Sequence, residues 1–233
     1  MTNSEKFLDY YNKIDSYLKK SDNHDSFVTY GQKIKNTNNK VVLRFKDELI
    51  SFGELRNAIV HNPKIGNKAI AEPHDNTVLR IEELYEKISN PLKVIPEFQF
   101  RVLGAKQEDF INEILIEMKK HSFSQFPVYN ENGSVCELIN NNTISRWLSS
   151  QLEENGTIII DNVKIKDLLP EIEFKKNYKF ISRNTSIFEA YDLFIKQINE
   201  KHKSLDVLFV THSGSPIEKI LGLITIEDIA NKV

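Results

Sequence analysis

Residues 208–228, LFVTHSGSPIEKILGLITIED, form the stretch of sequence that decides the fold. An apolar run leads into a turn containing Ser213, Gly214 and Ser215, a second apolar run follows, and a helix-like pattern begins near Thr225. Short apolar runs rich in β-branched and aromatic residues, separated by a turn, are typical of paired strands. The stretch therefore predicts a strand–turn–strand–helix unit.

The same pattern occurs earlier in the chain, at residues 126–143, FPVYNENGSVCELINNNT. Matching apolar positions are 82 residues apart before the turn and 85 after it, so the copies differ by three turn residues. Each copy follows an amphipathic helix pattern, at residues 110–118 and 187–198. A repeated unit of this kind indicates a ligand-sensing module with two similar halves.

The composition limits the classes of protein that the chain can represent. With 233 residues, 40% of them hydrophobic, it can bury a substantial core, and its formal charge of −2 gives no overall basic field for nucleic acid. Cys136 is the only cysteine, which excludes an intrachain disulfide and a cysteine-based zinc cluster, and no residue spacing predicts a metal site. No apolar run approaches the roughly 18 residues of a membrane helix, so we expect a soluble, cytoplasmic protein without a membrane partner.

The apolar period divides the chain into a helical region and a mixed region. Residues 1–89 have a helical period that predicts four helices, one of them around residues 26–34, while Asn90-Pro91 ends the last helix. The predicted domains are 1–89, 90–155 and 156–233. Within the mixed region we predict a short strand at 157–160, a turn at Leu169-Pro170 and an opening strand at 178–181.

The spacing Gly222-x-x-Thr225-x-x-Asp228 is the most informative motif in the second repeat. At a helix start, free backbone N–H groups attract phosphate, the Thr225 hydroxyl adds a donor, and the Asp228 carboxylate can accept both hydroxyls of a ribose. Gly222 would let a ligand approach the backbone. The alternative is purely structural, because Thr-x-x-Asp is also a capping arrangement that satisfies the helix's own N–H groups.

The duplicated unit and its motif resemble the CBS domain over residues 90–233. The resemblance implies an adenosine-nucleotide site, with AMP, ADP, ATP or a related adenosyl compound as effector, and a homodimer. It adds Ile181 to the candidate binding residues. The first repeat departs from the motif, with Glu137, Asn140 and Thr143 at its three positions, so we expect one intact site and one altered or empty site. Asn140, Thr143 and Arg146 are its candidate ligand contacts.

A second motif, Arg56-Asn57-x-x-x-His61, ends a predicted helix of the N-terminal region. It resembles the HEPN family, whose four-helix bundles include many metal-independent ribonucleases, and the resemblance covers about residues 1–89. In that chemistry His61 transfers protons, Arg56 holds the phosphate and Asn57 orients either group. RNA is then a partner, held by the lysines and arginines at positions 33, 35, 40, 44 and 46.

The motif also has a structural explanation, in which a histidine in the last helical turn favours the helix dipole while Arg56 and Asn57 hydrogen-bond across a bundle or dimer. The fold class we predict is α+β, an N-terminal all-α bundle followed by a tandem pair of α/β CBS units packed sheet against sheet. The function we predict is regulation by an adenine nucleotide. The helical domain is then either a controlled ribonuclease or a non-enzymatic scaffold for dimerisation or partner binding.

Overall fold

The computed structural model describes residues 1–22, 27–62, 69–152, 156 and 162–233. The chain forms two compact units, Met1–Leu92 and Lys93–Val233. The first is helical and the second contains both sheets, so the predicted α+β fold is confirmed. The strand predicted at 157–160 lies outside the described residues.

The described part of the first unit contains five helices rather than four. They are α1 (Asn3–Ser21), α2 (Tyr30–Asn36), α3 (Lys40–Arg44), α4 (Lys46–His61) and α5 (Asp75–Ser89). The extra helix arises because Phe45, with φ −102° and ψ 22°, interrupts a segment whose apolar period runs on without a break. One apolar stripe from each helix meets in the core, where Phe7 packs edge-on against Phe52 with ring centroids 5.6 Å apart.

Two three-stranded sheets with the same connectivity form the second unit. The first repeat contains β1 (Ala105–Lys106), α7 (Ile111–His121), β2 (Gln125–Tyr129), β3 (Val135–Asn140) and α8 (Asn141–Ser150), after a single turn, α6 (Val94–Glu97). The second contains β4 (Tyr178–Ser182), α9 (Ile187–Lys201), β5 (Val207–Thr211), β6 (Gly222–Ile224) and α10 (Ile226–Ile229). In each sheet a parallel pair is followed by an antiparallel pair.

The core of each repeat includes a short segment that lies, in the sequence, within the other repeat. Val94 and Ile95 are buried in the core of the second repeat, and the N–H of Val94 donates to the carbonyl of Thr185 at 2.9 Å. Conversely, a 3-10 helix at Ile165–Glu171 buries Ile165 and Leu168 in the core of the first repeat. The turn predicted at Leu169-Pro170 is therefore part of this short helix.

The sheets face each other across a small apolar core. Leu138 of β3 is buried with Val207 and Phe209 of β5, and Tyr178 and Phe180 of β4 pack against them. This packing places the ends of β3 and β6, where the two motifs lie, beside segments of the opposite repeat. Trp147 is 2% exposed and packs α8 onto the first sheet.

Candidate functional site

The second repeat opens onto a cleft of about 460 Å³, which we call the second-repeat cleft. Clefts that bind small molecules usually have volumes of about 300–1,000 Å³, so this one is large enough for a nucleotide-sized ligand. Leu223, Thr225 and Asp228 form one wall. The other walls come from the segments Phe98, 100–103 and 121–125.

Thr225 and Asp228 are already bonded to each other at the start of α10. Oδ2 of Asp228 accepts from the backbone N–H of Thr225 at 2.7 Å and from its hydroxyl at 2.9 Å. Within the described residues, both of these bonds reach Oδ2, which leaves Oδ1 available to a ligand hydroxyl. The capping arrangement and a ligand-binding role for Asp228 are therefore compatible.

The expected contribution of a helix dipole at Thr225 needs correction. Helix α10 spans only four residues, Ile226–Ile229, so few peptide dipoles are aligned there. Positive charge at the second-repeat cleft comes instead from Arg101, an exposed side chain in its walls, and the imidazole of His121 lies in the same walls. His121 also contacts Glu117, with Nε2 3.3 Å from Oε2. Sequence reasoning missed Arg101 and His121 because neither belongs to a motif.

Gly222 has a structural role that differs from the predicted one. A Cβ added to it would lie 1.9 Å from the carbonyl oxygen of Phe98, so the chain's own backbone fills the space assigned to a ligand. The N–H of Phe100 then donates to the carbonyl of Leu221 at 3.1 Å. Gly222 therefore allows the segment that carries Arg101 to cross the second sheet.

A smaller cleft of about 210 Å³, the first-repeat cleft, lies at the matching end of β3. It is lined by Leu138, Asn140 and Thr143, which match Leu223, Thr225 and Asp228, and by Lys203, Ser204 and Asp206, which match His121, Ser122 and Ser124. Its volume is below the usual range for ligand clefts.

The altered motif residues of the first repeat form a local network. Oδ1 of Asn140 accepts from the backbone N–H of Thr143 at 3.0 Å and from its hydroxyl at 3.1 Å, while Nδ2 donates to Asp206 at 3.3 Å. Glu137, at the position of Gly222, is buried, and its Oε1 accepts from the backbone N–H of Lys176 at 2.7 Å. The carboxylate takes part in chain packing at the site where the second repeat has a glycine.

Two predicted ligand contacts lie outside the described clefts. Ile181 is 6% exposed and belongs to the apolar core of the second repeat. Arg146 is exposed, and its Nε donates to the backbone carbonyl of Glu171 at 3.1 Å. We therefore assign Ile181 to packing and Arg146 to anchoring the 3-10 helix.

Arg56, Asn57 and His61 are brought together at the end of α4. Nη1 of Arg56 lies 2.8 Å from Nε2 of His61 and donates to Oδ1 of Asn57 at 3.1 Å. Because a guanidinium only donates, Nε2 of His61 is the unprotonated acceptor in this arrangement. The helix continues through His61, so the length of the arginine side chain brings its guanidinium to the imidazole.

The basic residues near this motif do not form one exposed patch. Lys33 is 5% exposed, and its amine forms an ion pair with Asp15 at 2.7 Å. It lines a cleft of about 610 Å³ in the helical unit together with Tyr11, Arg56 and Asn57. Lys33 is thus removed from the set of residues predicted to hold an RNA backbone.

No helix in the described ranges has both the length and the apolar character needed to cross a lipid bilayer. In the same part of the chain, His, Cys, Asp and Glu side chains form no group of three or more able to hold a metal ion.

Comparison with protein families matches residues 165–233 to the CBS domain. This segment is therefore similar to the CBS domain. The match begins at the 3-10 helix that packs in the first repeat and includes the whole Gly222-x-x-Thr225-x-x-Asp228 motif. A search of curated proteins finds no match.

Solved structures of CBS proteins resemble the chain at low sequence identity. A signal-transduction protein with CBS domains from Burkholderia ambifaria MC40-6 is 14% identical, with a TM-score of 0.41 over 57% of this chain and 82% of that one. The CBS domain pair of protein MJ0100, in complex with 5′-methylthioadenosine and S-adenosyl-L-methionine, is 15% identical, with a TM-score of 0.41 over 61% and 96%. CBSX2 in complex with AMP is 12% identical, with a TM-score of 0.42 over 60% and 95%.

Proposed function

We propose that the protein is a regulatory sensor whose second-repeat cleft binds an adenine nucleotide or a related adenosyl compound. The observation that carries the proposal is the placement of Asp228 and Thr225 in one cleft with Arg101 and His121. Oδ1 of Asp228 accepts from a ribose hydroxyl, and Arg101 supplies the fixed positive charge for a phosphate. The homologous segment of the first repeat, Asn140 to Thr143, lacks this carboxylate.

Regulation requires that the ligand favour one of two conformations. The second-repeat cleft is suited to this role because its walls come from both repeats, with Arg101 and His121 on one side and Asp228 on the other. A nucleotide that joins these groups stabilises the arrangement in which they lie close together. The output we propose is a change in the activity or self-association of the helical unit, with the homodimer as the working assembly.

Isothermal titration of the full chain with AMP, ADP, ATP and S-adenosylmethionine tests nucleotide binding. Replacing a charged hydrogen-bond acceptor costs about 1.5–3 kcal/mol, so Asp228→Ala should weaken binding by roughly 10- to 150-fold. Asp228→Asn keeps an oxygen for Thr225 and separates loss of the charge from loss of the cap. Glu200→Gln, on an exposed turn of α9, is the matched control and should bind as the wild type does. Binding that is equal in wild type and Asp228→Ala would overturn the proposal.

A second candidate function, metal-independent RNA cleavage, is favoured by the 2.8 Å contact between Arg56 and His61. A phosphate of RNA competes for the Arg56 guanidinium and thereby frees Nε2 of His61 to take the proton of the attacking 2′-hydroxyl. Arg56 then neutralises the charge that develops on the phosphorus oxygens. Asn57, whose oxygen accepts from Arg56, fixes the orientation of the guanidinium.

Cleavage of single-stranded RNA in the presence of EDTA tests this second function. His61→Ala should abolish cleavage, and Arg56→Lys should reduce it at least tenfold because a lysine cannot form the same fork of hydrogen bonds. His74→Ala, an exposed histidine at the start of α5, is the matched control and should retain full activity. If no variant differs from the wild type, the non-enzymatic alternative holds, in which the helical unit serves dimerisation or partner binding.

A further inference from the structure

A third cleft of the second unit, of about 880 Å³, lies beside the turns that join the last two strands of each repeat, and we call it the turn cleft. Its walls come from residues 132–133, in the turn between β2 and β3, from residues 217–221, in the turn between β5 and β6, and from residues 99–102. Among the described residues, it shares residues 100–102 with the second-repeat cleft and contains no motif residue of either repeat. The turn cleft is therefore a separate opening.

Exposed apolar side chains are grouped in the turn cleft. Ile217 is 86% exposed and Phe100 is 49% exposed, and both line its walls. Burying such side chains in a complex would release free energy that folding of the free chain does not use. Grouped apolar surface bordered by polar residues is typical of a site that contacts another protein.

The turn that carries Ile217 is held in place by its own polar groups. By the alignment of the two repeats, it is three residues longer than its counterpart in the first repeat. The carboxylate of Glu218 accepts from the N–H and the hydroxyl of Ser213, at 2.7 and 2.9 Å, and the N–H of Gly214 donates to the hydroxyl of Thr211 at 2.9 Å. A turn that is already ordered loses little conformational entropy when a partner binds to it.

The turn cleft also carries positive charge. Arg101, Lys106 and Lys219 line its walls, and all three side chains are exposed. In the part of the chain that the structure describes, none of the three forms an ion pair, whereas the carboxylate of Glu218 is bound to Ser213. Three such cations complement a ligand that carries several negative charges.

The chemistry of the walls favours an acidic peptide over nucleic acid. Bases stack on flat aromatic or guanidinium faces, whereas the most exposed apolar side chain of this cleft is the branched Ile217. An aliphatic side chain of a peptide packs well against Ile217, and flanking carboxylates reach the cations around it. The whole chain has a formal charge of −2 and offers no wider basic field to a phosphate backbone.

We propose that the turn cleft docks an acidic peptide segment of a partner protein, with an aliphatic side chain seated against Ile217 and carboxylates on Lys106, Lys219 and Arg101. Arg101 also lines the second-repeat cleft, so a nucleotide phosphate bound there competes with the peptide for the same guanidinium. This competition rests on the proposed function, whereas the docking site does not. The nucleotide signal then controls attachment of the partner.

Selection from a library of random peptides displayed on phage, with the full chain as bait and no nucleotide present, tests the docking site. We expect the enriched peptides to contain more aspartate and glutamate than the library, together with a leucine, isoleucine or valine. The most enriched peptide is then synthesised with a fluorescent label, and its binding is measured by anisotropy. Enriched peptides without an acidic excess, or no enrichment, would overturn the docking site.

Variants of the full chain locate the bound peptide. Lys106→Glu combined with Lys219→Glu should weaken binding at least tenfold because like charges then oppose each other, and Ile217→Ser should weaken it at least fivefold. The matched controls are Lys196→Glu and Ile116→Ser, at exposed positions of α9 and α7, and both should bind as the wild type does.

Two results with these variants would contradict the docking site. The first is equal peptide binding by the wild type and the double lysine variant. The second is a single-stranded RNA oligonucleotide that binds more tightly than the peptide and depends on the two lysines but not on Ile217, which would assign the cleft to nucleic acid.

Addition of AMP separates this inference from the proposed function. Saturating AMP should weaken peptide binding to the wild type at least threefold and leave binding to Asp228→Ala unchanged. If AMP binds through Asp228 and no acidic peptide is enriched, the docking site is overturned and the sensor proposal stands. If the peptide binds through Ile217 and no AMP binding depends on Asp228, the docking site stands and the sensor proposal fails. If both ligands bind without affecting each other, the competition for Arg101 is overturned.

Discussion

The first and second repeats use one backbone frame to form two chemically different clefts. Both have a parallel and an antiparallel strand pair, and both place the end of the last strand beside a segment of the other repeat. The first-repeat cleft has about 210 Å³ and the second about 460 Å³. The frame thus fixes where a cleft forms, whereas a few side chains fix its charge and size.

The largest effect should come from filling the space at Gly222, where the first repeat has Glu137. Gly222→Ala places a Cβ 1.9 Å from the carbonyl oxygen of Phe98, a backbone atom that cannot rotate away. We expect a loss of about 3 kcal/mol in the free energy of unfolding, measured by urea denaturation. The Phe98–Val102 segment must shift, so nucleotide binding at the second-repeat cleft should fall as well.

Gly31→Ala is the control for the effect of adding a methyl group to a glycine. Gly31 lies in α2, and its added Cβ meets nothing within 4 Å, so the change should be neutral or stabilise by about 0.5–1 kcal/mol. A Gly222→Ala variant as stable as the wild type would show that the two repeats tolerate the same side chains at this position. The conclusion that the Phe98 backbone requires a glycine at position 222 would then be wrong.

The second effect concerns Glu137, which occupies the position of Gly222 in the first repeat. Its Oε1 accepts from the backbone N–H groups of Lys176 and Leu138, at 2.7 and 3.1 Å. Glu137→Ala leaves these donors without that acceptor, so we expect a loss of about 2 kcal/mol in the free energy of unfolding. Glu137→Gln keeps an acceptor oxygen and should lose less than half as much. An equal loss in both variants would show that the negative charge, and not the hydrogen bonding, stabilises the segment.

The repeated frame could be predicted from the sequence because it depends on local apolar patterns. The positions of Leu138 and Leu223 gave the register of both copies, and α7 and α9 form where the helical period indicated them. The break at Phe45 was missed because its side chain continues the apolar stripe while its backbone leaves the helix.

The walls of the clefts could not be predicted, because they depend on contacts between residues distant in sequence. Phe98 contacts Gly222, and Arg101 lines a cleft with Asp228, only because the segment before β1 crosses to the second repeat. The carboxylate of Asp206 likewise accepts a hydrogen bond from Asn140, a residue of the other copy. A motif search identifies the residues at the strand ends but carries no information on what is packed opposite them.

A smaller effect on stability is expected at Asn140 and Thr225, the residues that precede α8 and α10. Oδ1 of Asn140 accepts the N–H of Thr143 at the start of α8, which has ten residues, so Asn140→Ala should cost about 1 kcal/mol of stability. The Thr225 hydroxyl donates to Asp228 and precedes a helix of four residues, so Thr225→Ala should cost about 0.5 kcal/mol. Thermal unfolding of both variants without ligand measures the difference. A larger loss for Thr225→Ala would mean that its bond to Asp228 contributes more to folding than the cap of α8.

The smallest effect is expected for Asp206→Asn, which should stabilise the protein at neutral pH. Because burial raises the pKa of this carboxyl above 3.8, its contribution to stability is fully present below that pH and is lost as the pH rises through the folded-state value. At pH 7 the variant should therefore gain roughly a few tenths of a kcal/mol after solvent screening, and the gain should shrink as the pH is lowered toward about 4. Urea unfolding at several pH values, with Glu200→Gln as control, measures this change. Destabilisation at pH 7 would instead mean that the Lys203 amine stabilises Asp206 as a structural ion pair.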